Sequence, residues 1–243
     1  MPHTRSPRGM PGEVTGGAFV GFAELHLGFA RRAADVLGIS RREALQTWTP
    51  AFGLSGGGWA QTGYPDAHAL AAAYVRHQEH DPPLPGAGCF GYSYEAREGA
   101  VRLHFVNRHG AGALSVSQRP QRRSELGATL RHARERHPEA QGLRAGSWLY
   151  NLPGYQALFP PRILATARPA DPRGELEFMA LWGQFLRGDC TLYRPRAAFF
   201  AGRFSVARDE RELLAAFPMH KLDWHARLDE ICLWLGHAGR RPG

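Results

Sequence analysis

Between residues 89 and 159 the local signals follow one another so closely that they fix the order of elements in the middle of the chain. Residues 89–95 alternate, with Phe90, Tyr92 and Tyr94 on one face, and residues 101–106 alternate again, with Val101, Leu103 and Phe105 on one face. Arg97, Glu98 and Gly99 make the short connection between them, so the pair reads as a β-hairpin. The run Asn107, Arg108, His109, Gly110, Ala111, Gly112 then opens a glycine loop. Ser124 is placed to cap a helix carrying Leu126, Leu130 and Ala133 on one face, which Pro138 stops. Residues 143–150 read as a strand closed by Asn151, Leu152 and Pro153, and residues 155–159 as a helical turn before Pro160 and Pro161.

Upstream, Phe22, Leu25, Phe29, Ala33 and Val36 recur at helical spacing over residues 18–37, and Gly38 ends the run. Ser40 with Glu43 forms a capping box that opens a second helix to about Trp48. Residues 53–63 are glycine-rich and read as a loop, and a third helix runs over 66–80 with Leu70, Ala73 and Tyr74 on its apolar face. The proline-rich stretch 81–86 reads as a linker. It divides a helical N-terminal region, residues 18–85, from an α/β region, residues 86–243, and residues 1–17 read as a disordered lead. Downstream, residues 162–168 and 176–186 read as a second hairpin, bulged at Gly183. Residues 191–204 fit no pattern well, with a short helix at 197–200. Residues 209–217 and 222–235 read as closing helices, the last burying Leu222, Leu228, Ile231 and Leu235.

A chain of 243 residues with 43% apolar and 21% charged residues suits a soluble globular protein with a sizeable core. No stretch approaches the roughly 20 apolar residues that span a membrane, so no membrane partner is expected. The net charge is +8, carried almost entirely by arginine, since Lys221 is the only lysine. The arginines at 119–123 and 131–136 read as a solvated helix face, because no base-stacking or groove-reading motif accompanies them and nucleic acid is not the expected partner. Cys89, Cys190 and Cys232 are scattered and odd in number, which argues against a disulfide framework and fits a reducing cytoplasm.

The order hairpin, glycine loop, helix, strand, asparagine-led helix resembles the GNAT acyltransferase fold over residues 88–186. The chain as a whole also resembles a bacterial family to which no activity attaches. The resemblance implies an α+β fold with a mixed central sheet of GNAT-like type. It implies acyl-CoA as co-substrate, its pyrophosphate held by Asn107, Arg108, Gly110 and Gly112, with Asn151 matching the asparagine that follows the next strand. The physics of such a loop is general, because exposed amides at a helix start stabilise an anion and glycines let the backbone approach it. The first loop residue is Asn where the family has Gln or Arg, and Phe159 stands near the family's proton-donating tyrosine, leaving Tyr155, one turn earlier, as the substitute.

Side-chain chemistry adds candidates. His104 on the second hairpin strand is a base that titrates near neutral pH, or a solvent-facing strand residue. Glu95 on the neighbouring strand could orient an amine or hold His104, or simply end the hairpin. Trp148, Tyr150, Trp182 and Gln184 would floor a small-molecule pocket, or, for the aromatics, pack a core. His77, His80 and Asp81 have metal-ligand spacing, but a polar helix end explains them as well, and no metal is expected. The reading is an acyl-CoA-dependent N-acyltransferase on an unidentified amine. The alternative is a non-enzymatic small-molecule or protein-binding module on the same scaffold.

Overall fold

The computed structural model describes residues 16–48, 65–80, 84–108, 112–170, 179–188 and 191–238. Among the described residues three helices lead: α1, Gly16–Leu37; α2, Arg41–Trp48; and α3, Ala67–His80. The caps expected at Gly38 and Ser40 are in place, and Asp66 caps α3 as well. Gly38 adopts φ +67° after α1, and the Ile39 amide donates back to the Ala34 carbonyl, so the last turn closes on a left-handed residue. The Glu43 amide donates to Ser40 Oγ at 3.1 Å, and the Ala69 amide to Asp66 Oδ1 at 2.8 Å. The linker residues 81–83 lie outside the described residues.

The sheet begins with β1, Gly86–Ala87, followed by the expected hairpin of β2, Phe90–Glu95, and β3, Ala100–Phe105. Helix α4, Arg119–Arg136, crosses over to β4, Gly142–Ser147. Two single-turn helices follow, α5 at Pro153–Gln156 and α6 at Pro161–Leu164, then a short β5 at Arg168–Pro169. Past α7, Met179–Trp182, come α8, Arg194–Ser205, and α9, Glu210–Ala215. The chain then returns to the sheet as β6, Leu222–Arg227, and ends its described part with α10, Leu228–Ala238. The strands lie in the order β1-β2-β3-β4-β6-β5. β3 and β4 run parallel, and every other pairing is antiparallel. The architecture is α+β with a mixed six-stranded sheet.

Two apolar cores divide the interior. One packs the sheet face of Val101, Leu103, Leu143, Ala145 and Trp224 against Leu126, Leu130 and Ala133 of α4 and Ile231 of α10. The other joins Phe19, Phe22, Phe29, Leu70 and Tyr74 of the leading helices to Trp182, Phe185, Phe200 and Phe217 from the second half of the chain.

Several expected elements differ. Helix α4 starts at Arg119, five residues before Ser124, because Pro120 falls in its first turn, where a missing amide costs nothing. Residues 162–168 are not a strand. Pro161 starts a helical turn there, and only Arg168 and Pro169 pair, against β6. Within 176–186 the described residues 179–185 are helical, and Trp182 is drawn into the helical core. The expected helix 222–235 is a strand over its first six residues, in which Leu222, Trp224 and Ala226 pack on the sheet core while Asp223, His225 and Arg227 face away.

Candidate functional site

The parallel pair is where the sheet opens. β3 and β4 stay in register from Ala100↔Gly142 to Leu103↔Ala145. Beyond that point each strand keeps only its outer neighbour. β3 continues against β2 through Phe90↔Phe105, and the Val106 amide donates to the Cys89 carbonyl at 2.9 Å. β4 continues against β6 through Gly146↔Asp223 and Ser147↔Leu222. The ladder between the two parallel strands therefore breaks at their carboxyl ends, and this break in pairing forms the crevice between them. Open α/β sheets bind ligands at such carboxyl ends.

One lip of the crevice carries His104. Its Nε2 lies 2.9 Å from Ser93 Oγ on β2. Burial, and then the Arg102 guanidinium, hold the half-buried imidazole below its usual pKa, while Glu95 opposes them. Glu95 lies on the same polar sheet face but is engaged by two arginines, Arg144 at 3.2 Å and Arg102 at 3.5 Å. Arg144 also pairs with Glu98. His104 is thus oriented by a serine hydroxyl rather than by the carboxylate.

The other lip is Gly146, the first β4 residue past the parallel register. The Lys221 stem and the Asp223 carboxylate lie over this glycine, with Lys221 Nζ 3.2 Å from Asp223 Oδ1. A Cβ at Gly146 would fall 1.8 Å from Asp223 Oδ1 and 2.4 Å from Lys221 Cε, so only a strand position without a side chain admits the pair. Lys221 is 8% exposed.

Above the crevice the loop from Val106 leads into α4. Asn107 and Arg108 are exposed, Gly112 adopts φ +81°, and Gly110 lies outside the described residues. The Ser115 amide donates to the Gly112 carbonyl, and the single turn Val116–Gln118 runs straight into α4. The first turns of α4 carry Arg119, Arg122 and Arg123, each with a buried Nε that meets no hydrogen-bond partner. Arg123 otherwise donates to the Ala157 carbonyl at 2.8 Å and lies 4.7 Å over the Trp234 ring. Arg122 is fully buried, bonded to Cys89 Sγ and, at 2.8 Å, to Glu125 Oε1, and it pins the helix start to the residue that precedes β2.

The remaining expected site residues are dispersed. Tyr155 is buried among Phe105, Tyr150 and Phe159 in the sheet core, where burial raises its pKa and removes it from any acid role in the crevice. Asn151 is spent on structure, donating to the Trp148 and His220 carbonyls at 2.7 Å each. Tyr150 belongs to the sheet core and Trp182 to the helical core, so they floor no common pocket. Gln184 is fully buried and ties Leu181 to Met219 by backbone bonds. Trp148 is half-buried, with Arg196 over its ring at 5.5 Å. The side chains of His77 and His80, and Asp81, lie outside the described residues. Among the described residues no three metal-type side chains converge, and no helix is long and apolar enough to cross a membrane. A surface depression of about 360 Å³ between Arg162, Arg227, Asp229, Glu230, Leu233 and Trp234 involves none of the expected site residues.

Sequence reasoning missed Ser93, Arg144, Lys221 and Asp223. The signal for the last two was present, as strict alternation in Leu222, Asp223, Trp224, His225, Ala226, Arg227 beside the chain's one lysine. Comparisons with protein-family models, with curated proteins and with solved structures give no match to this chain.

Proposed function

We propose that the protein is an acyl-CoA-dependent N-acyltransferase on a GNAT-like scaffold, with the crevice between β3 and β4 as its acyl site. The observation that carries this reading is the pairing pattern: one parallel pair, joined through a loop and α4, that parts at its carboxyl ends. An extended arm bearing amides, such as that of coenzyme A, fits between two separated strand edges as an added strand does. The loop at Asn107, Arg108 and Gly112 and the start of α4 would face the pyrophosphate, with Arg119 and Arg123 supplying charge. His104, kept neutral by its surroundings, would take the proton from an attacking amine on the polar sheet face, and Ser93 would orient it. A strand-edge amide would stabilise the thioester oxyanion.

The test is calorimetric titration with coenzyme A and acetyl-CoA, beside a Gly110→Glu, Gly112→Glu double variant. Micromolar binding that the variant loses, with its melting curve retained, supports the reading. Absence of binding by the folded wild type across several acyl chains ends it. The buried Tyr155 and the engaged Glu95 favour a second reading, a binding module on the same scaffold. That reading gains if coenzyme A binds and no amine acceptor is consumed.

A further inference from the structure

We propose that Lys221 is itself an acyl acceptor, so that the protein acylates its only lysine from the donor bound in the crevice. The inference rests on the acyl-CoA reading of that crevice. Lysine has been excluded from every other position of a chain with 30 basic residues, yet one is held nearly buried at the point where the parallel strands part. Gly146 gives up a side chain at that point, and the space it leaves is filled by the lysine stem and the Asp223 carboxylate. The opposite lip at the same level is His104, one residue past Leu103↔Ala145, and it lies on the same face as Gly146 by strand alternation. The Asp223 carboxylate, 3.2 Å from the amine, holds it at one lip, and the strand position facing it across the break carries an imidazole.

The step balances without a further reactant. His104 or water takes one proton from the Lys221 ammonium and passes it to solvent, and the neutral amine attacks the thioester carbonyl carbon. The new C–N bond forms as the C–S bond breaks. Coenzyme A leaves as thiolate and recovers the proton that the nitrogen sheds. The product is an amide on Lys221 and free thiol.

The native protein is incubated with acetyl-CoA and followed by intact-mass and peptide-mapping mass spectrometry, and mapping separates Lys221 from the amino terminus. The same chain unfolded in guanidinium serves as the chemical control, and coenzyme A binding is measured on the same preparation. The expected result is one acetyl group on Lys221 of the native chain, gained about tenfold or more faster than in the unfolded chain. Asp223→Asn should slow the gain, and Lys221→Arg should abolish it while coenzyme A still binds. If coenzyme A binds but Lys221 stays unmodified, or is modified no faster than in the unfolded chain, self-acylation is overturned and the transferase reading stands. If coenzyme A does not bind, both fall together.

Discussion

The buried contact between Arg122 and Glu125 yields a prediction that needs no view of function. Arg122 has no exposed surface, and Glu125, one turn on, has a side chain only 12% exposed. Removing the carboxylate charge with Glu125→Gln leaves a guanidinium in the interior beside a thiol, at a cost of about 3 kcal/mol or more. Arg122→Met keeps most of the stem volume and leaves a carboxylate that still accepts from the Cys89 amide at 3.0 Å and from Gln121 Nε2 at 3.2 Å. That variant should lose about 2 kcal/mol, or roughly 4–8 °C in Tm for a chain of this size. The double variant should be less destabilised than the two single losses summed, by about 2 kcal/mol, because neither charge is then left behind. Guanidinium melts of the four proteins measure the coupling directly. Single losses that add to within about 0.5 kcal/mol would refute the claim that this pair acts as a unit at the start of α4.

Two pH predictions follow from buried imidazoles. His26 is fully buried, bonded at Nδ1 to the Tyr74 hydroxyl at 2.7 Å, and burial depresses its pKa well below the usual value. The unfolded chain therefore binds this proton more readily, so stability is full above about pH 6.5 and falls below it by up to ~1.4 kcal/mol per pH unit. Urea melts from about 1.5 pH units below that value to about one unit above it should show this slope, and a His26→Phe variant should flatten it. For His104, whose pKa is also lowered, the acidic limb of the proposed acyl transfer should lie below about pH 6.5. Arg102→Gln removes one cause of the depression and should move that limb upward, which an initial-rate profile would read.

Much of the fold was legible wherever one residue's conformation decided the outcome. Gly38, Ser40 and Asp66 each end or start a helix through their own backbone or side chain, and the hairpin declared itself by alternating aromatic and aliphatic residues about Gly99. Elements whose state depends on distant partners were not legible. Residues 179–185 are rich in large apolar side chains and suit a strand locally, but Trp182 meets Phe22, Phe29, Phe200 and Phe217 from three other segments, and a helical turn delivers it there. The site shows the same split. His104 could be placed on its strand by counting. Its partner Ser93 required the register, the burial of Tyr155 required the core, and the place of Lys221 required knowing that residues 222–227 are a strand beside β4.

The strand order also bears on how this protein is made. β6 sits between β4 and β5, so the outer edge of β4 stays bare while all of the intervening chain is synthesised. The helical core waits as well, since its leading helices are made long before Trp182, Phe200 and Phe217 arrive to seal them. A ribosome-bound fragment stopped before residue 222 would hold an uncapped sheet edge along β4. Such a chain depends on late segments to shield early ones, and its time of greatest risk is the interval before β6 leaves the exit tunnel.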